Sequence, residues 1–488
     1  MKKYVLGIDQ GTTGSTAMVF DVEKQKIIAH VNKEFPQHYP SPGYVEHDLN
    51  DIWGSVRHCI KSVLKENAIK PTDIKCIGIT NQRETTCVFN KLGEPLHNAI
   101  VWQDRRTHEY CHEKKDSYTH LQKKTGLPLD PYFSATKLRW LLKNNNFSQP
   151  LFGTIDTFLL YKLTNGDSHF TESSNASRTL LMNLETRQWD DELLNFFEIP
   201  KEILPQIKNT FDDFGHTKGL DFLPDGIAIT CLFGDQQSAL FAQAALKPGD
   251  LKCTYGTGAF LLLNTGKKIM HSDHGLLSTV AYQHNDVCTY ALEGSTYIAG
   301  AAVQFLRDNF NFFKDSSDIE NLAKKSSLKD IQDLLFLPFF TGIGSPHWKP
   351  NVKASILGMT RGTSIEDISR ACLEGITFSI QDLIEAFEKD LNNPISAIKV
   401  DGGAVKNKLL LEIQSKVSKK TVRRPKIIET TAFGSILGAL VGLGEISLDQ
   451  IGKFSEIEQE FEGIRSNEEE AYYTEKLKTW SKVCKNFF

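Results

Sequence analysis

The sequence predicts a duplicated α/β fold, two domains that each carry a mixed sheet. Two observations lead there. The chain has 488 residues, which at roughly 100–200 residues per domain suits two large domains. Each half also contains the same local pattern: an apolar run, a turn rich in Gly and Thr, and a second apolar run.

In the first half, residues 4–8 are a short apolar run, Asp9-Gln10-Gly11-Thr12-Thr13-Gly14 is a polar turn, and residues 16–20 are apolar again. Residues 26–31 continue the meander. A helix fits 49–65, because Ile52, Val56, Ile60 and Val63/Leu64 recur at helical spacing. A buried strand at 74–79 delivers Asn81-Gln82-Arg83-Glu84 at its end, and the apolar run 228–233 delivers Asp235-Gln236-Gln237.

Lys247-Pro248-Gly249-Asp250 is a strong turn signal and marks the expected boundary between domains at 1–246 and 247–488. Beyond it come a strand at 251–254, the turn Tyr255-Gly256-Thr257-Gly258 and a strand at 259–263. A strand at 398–400 leads into Asp401-Gly402-Gly403-Ala404 and a helix starting near Asn407. Helices are expected at 365–390 and 432–443 from their apolar periodicity.

Composition narrows the function. Apolar residues make up 40% of the chain and charged residues 24%, and the net charge is −4 with no long block of one sign. This favours a small-molecule substrate over nucleic acid or an anionic membrane surface. The nine cysteines are odd in number and form no C-x-x-C pair, so they suggest neither a zinc site nor a disulfide framework and point to a reduced, cytoplasmic compartment. The apolar start of MKKYVLGIDQ stops at Asp9, too soon for a secretory signal. The stretch AFGSILGALVGLG at 432–444 is too short to span a bilayer and reads as a helix of small residues packed inside the protein. A soluble protein with no membrane span is expected.

The two Gly/Thr turns expose backbone N–H groups and hydroxyls that can wrap phosphate oxygens. Asp9, beside the first of them, can hold Mg²⁺ through water. One such turn per domain is how actin-like ATPases hold a nucleotide between lobes. The pattern GxxxxGK[ST] is absent and the first strand does not run through GxGxxG into a helix, so P-loop and Rossmann readings are weak. Gly402-Gly403 lets backbone approach a flat ligand, beside a helix N-terminus near Asn407. Arg83 and Glu84 together offer donors and an acceptor to neighbouring hydroxyls, and Asp235 at a strand end suits a general base. Asp104-Arg105-Arg106 reads as a solvated charge run.

Nine strings in order resemble the FGGY carbohydrate kinase family: GIDQGTTGS at 7–15, SPGYVEHD at 41–48, ITNQRETT at 79–86, VWQDRRT at 101–107, DPYFSATKLRW at 130–140, GDQQSAL at 234–240, YGTGAFLLLNTG at 255–266, ALEGS at 291–295 and DGGAVKN at 401–407. Arg83-Glu84 with VWQDRRT is similar to the branch of that family that phosphorylates glycerol. The resemblance implies two actin-like (ribonuclease H-like) domains with a cleft between them. It implies transfer of the ATP γ-phosphoryl group to glycerol, with Mg²⁺, in a homo-oligomer (dimer or tetramer). It also implies that Arg83, Glu84, Tyr132, Asp235 and Gln236 meet glycerol's hydroxyls, that Trp102 and Phe260 pack on its carbons, and that Asp235 is the base. Thr12, Thr13 and Gly14 would contact phosphates, Thr257, Gly300, Gln304, Gly403 and Asn407 would hold the nucleotide, and Asp9 would serve the metal.

The chain departs from that family in three places. Gly14 and Thr16 stand where Ser and Arg are usual, Lys353 stands where an Arg is expected, and the segment between Phe214 and Asp235 carries neither of the family's regulatory loops, Gly-Gly-Thr-Arg or His-Phe-Tyr. Two other readings compete: a family kinase for another polyol or sugar, and a non-catalytic actin-like ATPase. Arg83-Glu84 with Trp102 argues against the first, and the polyol cluster with Asp235 against the second.

Overall fold

The computed structural model describes residues 2–349, 351–464 and 466–487. Strands β1 (Tyr4–Gln10), β2 (Gly14–Asp21) and β3 (Lys26–Glu34) form an antiparallel meander. β4 (Ile74–Asn81) joins β1 in parallel and β5 (Ala228–Gly234) joins β4 in parallel, so the order across the sheet is β5-β4-β1-β2-β3. Helix α1 (Leu49–Glu66) covers one face with Ile52, Val56, Ile60 and Val63, which pack with Ala17 and Val19. Its N-terminus is capped by Asp48, whose Oδ1 accepts from Asn50 N at 2.7 Å. Helix α2 (Asp235–Ala242) leaves directly from the end of β5.

The second sheet repeats the plan. β6 (Leu251–Tyr255) pairs antiparallel with β7 (Ala259–Gly266), β8 (Leu277–His284) and β9 (Val287–Thr296) extend that side, and β10 (Ala397–Asp401), β11 (Thr421–Pro425) and β12 (Ile457–Phe461) extend the other. Its order is β8-β9-β7-β6-β10-β11-β12. The inner five, β9-β7-β6-β10-β11, match β3-β2-β1-β4-β5 in order and in strand direction. The duplicated mixed-sheet architecture is therefore present strand for strand. Helices α3 (Gly300–Asp308), α4 (Ile365–Leu391) and α5 (Lys408–Ser418) pack around this sheet.

The last helix of this set crosses back. α6 (Thr430–Gly442), from the second half of the chain, lies on the first sheet and on α2, packing Ile436, Leu437 and Leu440 with Val5, Cys76 and Phe233. Its approach is close enough that a Cβ on Gly78 would lie 2.0 Å from Ser435 O. The small-residue stretch is thus a helix packed inside the protein, as its composition suggests. No helix among the described residues is long and apolar enough to cross a membrane.

Two details differ from expectation. Asp9 and Gln10 belong to β1, not to the turn, because β1 is paired on both sides up to Gln10↔Ser15 and Gln10↔Asn81. The turn shrinks to Gly11-Thr12-Thr13 and is closed by Gly11 N donating to Gly14 O at 2.8 Å. Asp104-Arg105-Arg106 is not a solvated run. Asp104 is fully buried, where it accepts from Val45 N and from Arg106. Arg106 also reaches Glu46 at 2.7 Å and lies over the rings of Tyr44 and Trp140. Aromatic faces and paired carboxylates replace the water a guanidinium would otherwise need.

Candidate active site

β1, β4 and β5 are parallel neighbours whose carboxyl ends meet at one edge of the sheet, aligned by Gln10↔Asn81 and Gly234↔Asn81. In open α/β sheets such an edge is where ligands bind. It carries Asp9 within β1, Gln82-Arg83-Glu84 after β4 and Asp235 after β5.

Arg83 is only 3% exposed and is engaged on every side. Its Nε lies 3.2 Å from Asp235 Oδ1. Nη1 donates to Glu293 Oε2 at 2.5 Å and to Gln237 Oε1 at 3.2 Å, and Nη2 donates to Glu293 Oε1 at 3.1 Å. A second guanidinium completes the cluster: Arg178 Nε donates to Glu84 Oε1 at 2.6 Å and Nη2 to Glu293 Oε1 at 2.8 Å. Arg83 and Arg178 thus face three carboxyls, Glu84, Asp235 and Glu293, the last supplied by β9 of the second sheet. Burial would raise the Glu293 carboxyl, but Arg178 and Arg83 outweigh it and hold Glu293 below its ordinary value. Glu84 is raised, since burial there exceeds the pull of Arg178 and Arg83. Its backbone is left-handed at φ +61°, a conformation uncommon for a glutamate, and Ser134 Oγ holds its carbonyl at 2.9 Å.

Asp235 keeps 26% of its side chain exposed. Its Oδ1 also accepts from Gln236 N at 2.7 Å. Burial raises its carboxyl, opposed by Arg83 and Lys252. Gln236 itself turns toward the second sheet, where its Oε1 accepts from Lys252 Nζ at 2.6 Å. Asp9 is raised to about 7 by burial and by the charge of Asp235, and no Lys, Arg or His pairs with it among the described residues.

Aromatic rings wall the cluster. Trp102 stands edge-on to Tyr132 and to Phe260, with centroids 5.6 and 6.1 Å apart. Its indole Nε1 donates to Thr12 Oγ1 at 3.0 Å. One side chain therefore touches the first Gly/Thr turn and also Phe260, which follows the second turn in β7. Thr13 and Thr257 are exposed at the two tips. The second turn is closed by Gly256 N donating to Gly258 O at 2.9 Å, and the start of α3 bonds back to it through Gly300 N and Ala301 N.

Behind that turn lies a cavity of about 390 Å³. Thr257, Gly300, Gln304, Gly403 and Asn407 all line it, over an apolar floor that includes Val303, Leu373, Ile376 and Leu410. Asn407 also caps α5, accepting from Leu410 N at 3.0 Å. Gly14 lies off this cavity, in β2, where a Cβ would meet Lys33 O at 3.0 Å. Thr16 is opposite Asp9 in the β1/β2 register, so both side chains leave the same face, and Thr16 Oγ1 accepts from Asn32 Nδ2 at 3.0 Å. Lys353 is exposed.

Three residues of the cluster escape sequence reasoning: Arg178, Glu293 and Lys252. Lys252 carried a usable signal, being a lone charge between apolar residues in a strand that is otherwise buried.

Comparisons with known proteins identify the family. Residues 4–242 match the N-terminal domain, and residues 251–443 the C-terminal domain, of the FGGY family of carbohydrate kinases. A glycerol kinase of Myxococcus xanthus (strain DK1622) is 47% identical over 454 residues, covering 91% of this chain and 90% of the relative. One from Staphylococcus haemolyticus (strain JCSC1435) is 43% identical over 495 residues, covering 99% and 98%. Among solved structures, Plasmodium falciparum glycerol kinase with ADP superposes with a TM-score of 0.89 at 35% identity, covering 99% of this chain and 98% of that one. Gluconate kinase from Lactobacillus acidophilus shares the fold, with a TM-score of 0.88 at 23% identity, covering 99% and 97%. From the twinned sheets to the sequence matches across both of them, the chain belongs to the FGGY family of carbohydrate kinases.

Proposed function

We propose that this protein transfers the γ-phosphoryl group of ATP to a terminal hydroxyl of glycerol, giving sn-glycerol 3-phosphate and ADP. The observation that carries the reading is the position of Asp235: partly exposed at the carboxyl edge of the sheet and 3.2 Å from Arg83 of the buried ion cluster, which Tyr132 borders in ring contact with Trp102 and, beyond it, Phe260. A three-carbon polyol suits that setting, since its hydroxyls take the polar floor and its carbons the rings. The glycerol kinases at 43–47% identity support the same substrate.

Asp235 accepts the proton of the attacking hydroxyl. Arg83, Glu84 and Tyr132 orient glycerol, with Gln236 alongside, and Trp102 and Phe260 exclude water, which is itself a competent acceptor. Phosphoryl transfer needs alignment and charge neutralisation more than covalent catalysis. The exposed tips at Thr13 and Thr257, with half-buried Thr12 beside the first, serve the phosphates, Gly14 shapes the first of them, and the cavity beneath Gly300, Gln304, Gly403 and Asn407 takes the base and ribose of ATP. Mg²⁺ fits beside Asp9, a half-buried carboxyl raised by its surroundings and by Asp235 and lacking a cation among the described residues, and would neutralise the charge of the phosphates. All nine cysteines are buried free thiols, which suits a cytoplasmic enzyme.

Coupled ADP release with glycerol, dihydroxyacetone, xylulose and gluconate tests the reading. Glycerol is expected to have the highest kcat/KM. ADP release independent of any polyol would indicate an ATPase, and a preference for xylulose or gluconate would move the enzyme elsewhere in the family.

Thr16 supplies a second test. A guanidinium at this position, on the face shared with Asp9, would add a permanent charge where charge accumulates in transfer. Thr16→Arg is expected to raise kcat at saturating MgATP with little change in the KM for glycerol. Pairing it with Gly14→Ser is the less clean experiment, because the added Cβ presses on the Lys33 carbonyl of β3. A tenfold fall in folded Thr16→Arg would mean that charge at this edge is met differently.

A further inference from the structure

Glu172 is wholly buried and has no role in the chemistry above, yet its carboxylate accepts five hydrogen bonds. They come from Ser174 N at 2.7 Å, Ser174 Oγ at 2.5 Å, Asn175 N at 2.6 Å, Asn175 Nδ2 at 3.1 Å and Thr210 Oγ1 at 2.8 Å. A carboxylate saturated by donors from one short helical turn (Ser173–Ala176) and from Thr210 is a fixed point.

Two of those donors are relays. Ser174 Oγ, while donating to Glu172, accepts from Gly234 N at 3.0 Å. Asn175 exchanges amide bonds with Asn81 in both directions, at 3.0 and 3.1 Å, and Asn81 Nδ2 also reaches Gln82 O at 2.8 Å. Asn81 and Gly234 are the last pair of the β4/β5 ladder. The residues immediately beyond them are Gln82-Arg83-Glu84 on one strand and Asp235 on the other. A ladder has nothing to hold it past its final pair, and here both members of that pair are tied to Glu172. Thr210 Oγ1 extends the anchor to the second sheet, accepting from Gln283 N of β8 at 3.0 Å, while Ser173 Oγ donates to Gln283 Oε1 at 2.6 Å.

We propose that Glu172 is a positioning residue for phosphoryl transfer. Through Ser174 it sets the place of Asp235, and through Asn175 and Asn81 it sets the place of Arg83 and Glu84. The inference rests on the roles proposed above for those three residues. Misplacement of a reacting group by about 1 Å costs on the order of 10²-fold, so an anchor at the strand ends has a kinetic signature distinct from its effect on stability.

The two arms separate in steady-state kinetics. Ser174→Ala, which cuts only the arm to Gly234, is expected to lower kcat about tenfold or more and to leave the KM for glycerol within about threefold. Asn175→Ala, which cuts the arm to Asn81, is expected to raise the KM for glycerol about tenfold with the KM for ATP unchanged. Ser174→Thr keeps the hydroxyl and restores kcat. Glu172→Gln, which sets an amide N–H₂ against these donors, shows both effects. If an alanine variant does not accumulate as folded protein, Ser174→Cys and Asn175→Leu read the same split with the space filled. Folded variants that lose thermal stability but keep kcat and KM within about twofold overturn the proposal. Asp235→Asn and Arg83→Ala, run beside them, distinguish that outcome from failure of the functional reading, because they report on the base and the polyol site without involving Glu172.

Discussion

Asp235→Asn is expected to lower kcat for glycerol by roughly 10²–10⁴-fold, the usual contribution of a general base, or about 3–5 kcal/mol of transition-state stabilisation. The amide keeps the shape of the side chain and retains an oxygen to accept from Arg83 Nε and Gln236 N. It cannot take a proton. Glycerol affinity should change far less than turnover, because the polar floor and the three rings are untouched. The fold should hold as well, since Arg83 keeps both oxygens of Glu293. The measurement is kcat and the KM for glycerol at saturating MgATP, with the unfolding midpoint as a check. Turnover within a few-fold of the parent would show that the hydroxyl is deprotonated by another group.

Arg83→Ala should damage both binding and stability. Charge-assisted bonds to hydroxyls are each worth roughly 1.5–3 kcal/mol, so the KM for glycerol is expected to rise on the order of 10–100-fold. The structure adds a cost that the motif alone does not show. Arg83 is a counter-ion to Glu293, Glu84 and Asp235, and removing one partner from a buried ion cluster costs about 3–5 kcal/mol because the remaining charges stay buried. A lowered unfolding midpoint should therefore accompany the raised KM. Arg83→Lys tests the geometry, since it keeps the charge but loses the fork that holds Glu293 with two nitrogens. An unchanged KM for glycerol with an altered KM for ATP would place Arg83 at the other end of the cleft.

The contrast between Asp235 and its surroundings shows where the sequence is informative. Strands such as β1 and β6 are legible because apolar runs and Gly/Thr turns are local signals, readable within about ten residues. Helix α4 is legible from its periodicity for the same reason. The ion cluster is not local. Arg83 meets Glu293 across 210 positions and Arg178 meets Glu84 across 94, so no window of sequence contains either pair. Resemblance reached Arg83 and Glu84, whose string is distinctive, and passed over Arg178. Asp104-Arg105-Arg106 misled for a related reason. A charged triplet reads as hydrated unless its partners are known, and here Tyr44, Glu46 and Trp140 come from elsewhere in the chain. The bond by which Lys252 holds the Gln236 oxygen, across 16 positions, is likewise beyond any local pattern.

Helix α6 has a consequence for how the protein is made. It completes one face of the first sheet, yet it is among the last helices to be synthesised. When the ribosome has passed β5 and α2, the face formed by Val5, Cys76 and Phe233 is still waiting for Ile436, Leu437 and Leu440. Nearly two hundred residues separate Ala242 from Gly442. At roughly 5–20 residues per second, the nascent chain carries that apolar face uncovered for on the order of 10–40 s. A chain released before α6 emerges would be a half-built sheet with a sticky side, a substrate for chaperones or proteases. Such truncated products should be recovered bound to holdases, whereas the finished chain should not.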